Sequence, residues 1–229
     1  MNKGKFIVLE GADGSGKATQ QKLLISRIRK ELKRKVYKID FPQYEKSFFG
    51  SLAGRYLAGE FGTLQETNPY LSSLAFAGDR WQAKDKINKV LKAGGIVISN
   101  RYALSNMAHQ TAKLPKSERK AFLSFLEELE YKIYKIPRED INIFLHVPAK
   151  IGQMLVDGKR KRNYLGGKKR DIHEGNLSHL EESIKMYEYL ANKYKNKIKI
   201  INCCDKKGKL KSVGEIHELV WKIMTSVVK

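Results

Sequence analysis

Residues 11–19 read Gly-Ala-Asp-Gly-Ser-Gly-Lys-Ala-Thr, preceded by the apolar run Lys-Phe-Ile-Val-Leu-Glu and followed by residues with helical spacing. This is the pattern G-x-x-x-x-G-K. Gly11, Gly14 and Gly16 open backbone angles closed to other residues, so successive N–H groups can face one anion. A helix starting near Lys17 aims its positive end at the same spot, and the Lys17 ammonium reaches the outer phosphates. The stretch from Gly11 and Ala12 through Asp13, Gly14, Ser15, Gly16 and Lys17 to Ala18 and Thr19 therefore reads as a cradle for ATP or another nucleoside triphosphate. Ala18 stands where a Ser or Thr hydroxyl usually ligates Mg²⁺. Thr19 lies about 100° further round the helix and does not replace it. Mg²⁺ keeps several waters and leans on phosphate oxygens, so metal dependence is expected to survive with a rearranged shell.

Three more groups of charged or aromatic residues fall just past expected strand ends or on the helices behind them. Phe41-Pro-Gln-Tyr44 follows the second strand, Phe76-Ala-Gly-Asp-Arg80-Trp81 lies inside a long helix, and Asn100-Arg101-Tyr102 leads into Asn106, His109 and Gln110. Arg101, at the C-terminal end of a strand, reads as an anion site. Asp13 is a carboxylate inside an anion-binding loop, which calls for a cation or a sugar hydroxyl beside it.

The elements that must position these residues follow from periodicity and punctuation. Strands are predicted at 5–10, 35–39, 96–99, 141–147 and 197–203, and helices at 17–33, 47–58, 68–93, 105–112, 117–134, 149–157, 177–194 and 213–227. Pro42, Gly94-Gly95 and Pro148 punctuate them, and Thr67 or Asn68 with Pro69 caps the longest helix. Leu71, Leu74, Phe76, Trp81, Ile87 and Leu91 are expected to form its buried face. Strands alternating with helices predict an α/β fold: five parallel strands with helices on both faces, α/β/α in three layers, and a site built at the strands' C-terminal ends.

The 229 residues suffice for one domain with a substantial core. No apolar run approaches the ~20 residues needed to span a membrane, and a cytoplasmic location is expected. Cys203 and Cys204 are read as small core residues in a reducing compartment. Lys plus Arg exceeds Asp plus Glu by 45 to 24, a net charge of +21. Such a surplus permits nucleic-acid binding, but it is scattered, and polyanionic nucleotide substrates account for it equally well. One run differs: Gly158-Lys-Arg160-Lys-Arg162-Asn-Tyr-Leu-Gly-Gly-Lys-Lys-Arg170 combines cations with glycines at its margins and centre, as a lid closing at about 158–175 would.

Taken in order over nearly the whole chain, these motifs resemble those of thymidylate kinases, nucleoside monophosphate kinases with the P-loop NTPase fold. The resemblance implies transfer of the ATP γ-phosphate to dTMP, with Mg²⁺ and a homodimer formed through helices such as 47–58 and the Phe76 helix. It places Phe76 against the thymine ring, Arg80 on a base carbonyl and Asn106 at the base edge. Arg101 with Tyr44 would clamp the acceptor 5′-phosphate, and Asp13 would lie near sugar, phosphate and metal. Phe41, His109 and Gln110 fall in the same acceptor pocket, and residues 204–207 correspond to the loop that contacts adenine. Some family members carry a catalytic arginine in the phosphate loop; Gly14 and Ser15 cannot serve, so Arg160 or Arg162 of the lid, then Arg170, is expected to. Asp171 and Glu174 resemble acidic residues near metal or acceptor, and Asp13 with Glu174 is the expected metal pair.

Three departures accompany the resemblance: Ala18, Asn100 in place of an aspartate, and His109 in place of a tyrosine against the sugar. Two alternatives stay open at this level. One is a related kinase for another pyrimidine nucleotide or a deoxynucleoside; the other is a non-catalytic P-loop protein that holds nucleotide or nucleic acid.

Overall fold

The computed structural model describes residues 3–158, 164 and 170–228. Three apolar runs, β1 (Lys5–Glu10), β3 (Ile96–Asn100) and β4 (Ile141–His146), are buried almost throughout, whereas β2 (Val36–Asp40) and β5 (Ile198–Asn202) alternate with exposed residues. That difference sets their places: the order is β2-β3-β1-β4-β5, with the more polar strands at the edges. Every pairing is parallel, with Leu9 beside Asn100 and Glu10 beside Phe144. The loops that leave Glu10, Asp40 and Asn100 therefore emerge on one edge of the sheet.

Helices cover both faces. On one, α1 (Lys17–Arg27, extended by π-helical turns over Ile28–Leu32) and α8 (Val213–Val228) pack Leu24, Ile28 and Met224 onto Ile7, Leu9 and Ile143. On the other lie α3 (Pro69–Lys92), α4 (Ala103–Thr111), α5 (Lys116–Glu127, continued by π-helical turns over Glu128–Ile133) and α7 (Leu177–Lys193). They cover Phe6, Val8, Val97 and Phe144 with Ile87, Leu104, Phe122 and Tyr187. The shorter α2 (Phe48–Leu57) and α6 (Ala149–Asp157) flank the site. This is the expected three-layer α/β/α arrangement, with strand bounds within two residues of those predicted.

The caps are local chemistry. The Ser47 hydroxyl accepts from the Gly50 N–H, and Asn68 accepts from the Tyr70 N–H with Pro69 opening α3. Each such cap contributes about 1 kcal/mol.

One face differs from its prediction. Leu71 and Trp81 on α3 are 69% and 43% exposed, and the inward stripe is Ser72, Ser73, Ala77, Gly78, Asp79, Arg80 and Ile87. The helix meets α2 at Gly78, where a Cβ would stand 2.5 Å from the Phe49 ring. Close approach on that side demands small residues, and Phe76, Asp79 and Arg80 on the neighbouring side line a cavity. Cys203 is buried in the core, as expected, and burial pushes its thiol up to about 12. Cys204 is only half-buried, because its backbone has left the sheet to bridge Leu210.

Candidate active site

The phosphate loop bends as its glycines require. Gly14 and Gly16 take φ of 81° and 83°, and Gly16 starts α1 from a left-handed conformation. A Cβ on Gly14 would fall 2.0 Å from the carbonyl oxygen of Gly152, and a Cβ on Gly152 2.6 Å from that of Asp13. The loop and α6 thus touch backbone to backbone, and Gly152 is a site determinant that no motif in the sequence marks. The Lys17 ammonium donates to the carbonyls of Gly11 (2.9 Å) and Ala12 (2.8 Å), at the mouth of the loop.

Arg101 is the hub across from it. Its backbone is left-handed, φ 65°, a conformation costing an ordinary residue about 1–2 kcal/mol. It is fastened there by its N–H on Leu9 O (2.9 Å) and by the Ser99 hydroxyl on its own carbonyl (2.6 Å). The guanidinium donates to Asp13 Oδ1 (2.9 Å), Ser105 Oγ (3.2 Å) and His109 Nε2 (2.9 Å). Burial works to lower its pKa, but the carboxylates of Asp13 and Glu10 outweigh it and hold the cation. Glu10, fully buried, ties the end of β1 to the turn after β3. It accepts from Tyr102 N (2.8 Å), Ser105 Oγ (2.5 Å) and Tyr187 Oη (3.0 Å). Burial raises its carboxyl, and those donors with Arg101 pull it back.

Beyond the Asp13–Arg101 pair lies a narrow cavity between the phosphate loop, α3 and α4. Phe41, Tyr44, Phe76, Arg80, Asn106, His109 and Gln110, all named from the sequence, line it together with Asp13 and Arg101. Phe41, joined to Pro42 by a cis bond, is buried with its ring 5.5 Å from that of Tyr102. The loop carrying it is held by Asp79, which accepts from Gln43 N (2.8 Å), Gln43 Nε2 (3.0 Å) and Ser47 Oγ (2.5 Å). Tyr44 stacks on Tyr164 at 4.0 Å; burial, reinforced by Asp171, raises its phenol. Phe76 is half-buried and edge-on to Tyr56. Arg80 donates through Nε to Glu130 Oε2 (3.0 Å) and through Nη2 to Glu130 Oε1. Asn106 Oδ1, Gln110 Nε2 and His109 Nδ1 are buried without a hydrogen-bond partner among the described residues.

Two further histidines join His109. His173 and His179 bring ring nitrogens within 4.8 Å of it and of each other, and all three are buried. Burial is the first cause of the lowered pKa of each, with Arg101 acting on His109, its sister imidazoles on His173, and Lys113 on His179, which falls to about 4. Neutral imidazoles are metal ligands in general. Here the guanidinium can only donate, so His109 Nε2 is the acceptor and Nδ1 carries the proton. His109 then presents no lone pair to the trio while Arg101 stays in place. His109 and His173 form a neutral stretch of the cavity wall with His179 beside them, and His173 Nε2 lies 3.0 Å from Tyr56 Oη. No spacing foretold the trio, because its members come from α4, a turn and α7.

A larger open cleft adjoins the cavity at Asp13, Tyr44 and Arg101 and runs along Gly14, Ser15, Gly16, Lys17, Ala18 and Thr19. Its far wall is Leu210, Lys211 and Val213, a few residues past the 204–207 expected from sequence, which form a tight turn on Asp205. Asn100 also lines it, with Oδ1 buried and unpartnered among the described residues. That oxygen and the Asp13 carboxylate are hard donors of the kind Mg²⁺ takes, so the residues present fit that ion. Glu174 is 1% exposed and lines neither space; its Oε2 accepts from Asp171 N, 3.1 Å away. Asp171 lines the cavity in its stead. Arg160 and Arg162 lie outside the described residues. Arg170 donates to both oxygens of Asp157 (2.8 and 2.6 Å), at the end of α6 and off the cleft.

A family model described as thymidylate kinase matches residues 9–212. A thymidylate kinase from Mycobacterium tuberculosis is 29% identical over 186 residues, covering 81% of this chain and 85% of its own length. Another from Plasmodium falciparum is 37% identical over 112 residues, 49% of this chain and 50% of its own. A solved thymidylate kinase from Candida albicans shares the fold with a TM-score of 0.75 at 21% identity, covering 98% of this chain and 92% of that one.

Proposed function

The chain belongs to the thymidylate kinase family, and from that premise we propose how its residues move a phosphoryl group from ATP to dTMP to give dTDP. The observation that carries the reading is the shared wall: Asp13, Tyr44 and Arg101 border both the cleft along the phosphate loop and the cavity lined by Phe76, Arg80 and Asn106. A donor in one and an acceptor in the other meet there.

The acceptor's phosphate oxygen is already anionic at neutral pH, so no base has to remove a proton from it. Its bond to the γ-phosphorus forms as the bond from that phosphorus to the β,γ-bridging oxygen breaks, and ADP leaves with the electron pair. What the protein must overcome is the approach of two polyanions, by alignment and fixed positive charge. Lys17 exchanges the carbonyls of Gly11 and Ala12 for phosphate oxygens of ATP. Arg101, already cationic and aimed by Asp13, Ser105 and His109, holds the acceptor phosphate with Tyr44. Phe76 covers the base, and Arg80 and Asn106 meet its polar edge. Asp13 and Asn100 would hold Mg²⁺, which supplies charge neutralisation of the phosphates.

We further infer a single domain whose lid at about 158–175 contributes Arg160 or Arg162, and a cytoplasmic homodimer. Exposed Phe48 on α2 with Leu71 and Trp81 on α3 supports pairing through those helices. Among the described residues no helix is long and apolar enough to cross a membrane. A coupled ADP-release assay with dTMP, dUMP, UMP, CMP and AMP tests the reading. It expects turnover with dTMP far above UMP. A different preferred acceptor would move the chain to another substrate, and no turnover with salt-sensitive DNA binding would point to a non-catalytic protein.

A further inference from the structure

Glu130 sits on the π-helical continuation of α5, where no phosphate, sugar or metal is expected, yet its side chain is 0% exposed. It is bonded to two residues that line the acceptor cavity. Its Oε2 takes the Arg80 Nε–H (3.0 Å), and its Oε1 takes an N–H from Arg80 Nη2 and one from Asn106 Nδ2 (3.2 Å). Asn106 Nδ2 also donates to the carbonyl of Ser73 at 3.2 Å.

An asparagine amide offers two donors on nitrogen and an acceptor on oxygen, and which end points where is settled by its neighbours. Here both neighbours, the Glu130 carboxylate and the Ser73 carbonyl, can only accept. The nitrogen must face them, which leaves Oδ1 as an acceptor that no donor among the described residues meets, on a side chain lining the cavity. The same carboxylate occupies Nε and one hydrogen of Arg80 Nη2, so the guanidinium keeps its plane and presents Nη1, which Glu130 does not engage. One buried anion thus sets the orientation of a donor side chain and an acceptor side chain that both line the cavity.

We propose that Glu130 is a positioning residue that selects the acceptor base by fixing the polarity of Asn106 and the plane of Arg80; this rests on the thymidylate kinase reading of the cavity. The edge it selects carries a carbonyl beside a ring N–H, as thymine and uracil do. Cytosine places an amine and a bare ring nitrogen there, so donor would face donor and acceptor would face acceptor. Unpaired buried groups of that kind are what give polar sites their large discrimination.

The test is kcat/KM for dTMP and dCMP in wild type, Glu130→Gln and Glu130→Asp, with a thermal melt of each. Glu130→Gln offers Asn106 a donor and so permits the amide to turn over. Glu130→Asp keeps the charge opposite Arg80, which favours folding, but withdraws the oxygen from Asn106 by one methylene. The expected result is a dTMP:dCMP ratio of at least about 10³ in wild type, narrowing about tenfold or more in either folded variant, with the dTMP loss in KM rather than kcat. A merely structural glutamate would lower the melting temperature and both acceptors together; an unchanged ratio in a folded variant overturns the proposal. Should neither variant fold, wild type with N3-methyl-dTMP decides. A loss of about 100-fold or more supports the unpaired Oδ1 as the N3–H acceptor, and use equal to dTMP refutes it. Failure of wild type to use dTMP at all would instead refute the functional reading beneath.

Discussion

Acid should unfold this protein through imidazoles that cannot be protonated without leaving their burial. His179 belongs to the trio, and burial, with Lys113 nearby, takes its pKa from 6.5 to about 4. Between those two values the unfolded chain binds a proton that the folded chain refuses. Stability is therefore fully present above pH 6.5 and falls as pH drops toward 4. At about 1.4 kcal/mol for each pH unit separating folded from unfolded, His179 alone accounts for about 3 kcal/mol, with about 2.5 kcal/mol of it gone by pH 4.5. That is a large share of the ~5–15 kcal/mol a domain has. His109 and His173 are lowered in the same direction and steepen the fall. The perturbation is His179→Gln, which keeps a neutral polar side chain and cannot be protonated. Urea unfolding of wild type and variant at pH 7.5, 6.5, 5.5 and 4.5 reads the effect. Wild type should lose about 2.5 kcal/mol more than the variant across that range. Parallel curves would show that His179 titrates as it does in the unfolded chain, and the reasoning would fail.

Three other perturbations follow from the same geometry. Burial raises the Glu139 carboxyl to about 7, although Tyr131 donates to it, so the folded state retains a proton that the unfolded state releases. That sign is opposite: stability erodes as pH rises from 4.5 through 7, and Glu139→Gln should gain about 2–3 kcal/mol on wild type between pH 5 and 8.5 in the same urea experiment. Gly152→Ala places a methyl 2.6 Å from the Asp13 carbonyl; we expect ATP-dependent turnover to fall about tenfold or more while the far-UV spectrum is unchanged. Ala18→Ser restores the hydroxyl at the usual metal position, and the Mg²⁺ concentration for half-maximal activity should drop severalfold in a titration.

Much of the fold could be read in the chain because its boundaries are made by residues that act locally. Asn68 with Pro69, Ser47, Pro42 and Gly94 each constrain the backbone within a turn of themselves. The phosphate loop was equally legible, since its glycines and lysine do their work within nine residues. The inward side of α3 was not. Leu71 and Trp81 carry the apolar signal yet face outward, while Asp79 and Arg80 lie within because Gln43, Ser47 and Glu130 satisfy them. Burial of a charge depends on a partner 50 residues away in the case of Arg80, and periodicity holds no record of such a partner. The histidine trio has the same character. The acidic residues past the lid divide for a related reason: Asp171 lines the cavity, and Glu174, three residues on in the same tight turn, faces back into the protein.

We propose that a phosphate held by Arg101 receives a phosphoryl group from a nucleotide held by the loop at Lys17. Incubation with γ-³²P-labelled ATP, Mg²⁺ and dTMP, followed by chromatographic separation, addresses it without a coupling enzyme. Label should appear in dTDP, at a rate collapsing about 100-fold or more in Arg101→Ala. Label recovered as inorganic phosphate, or a rate into dTDP indifferent to Arg101, would contradict the account.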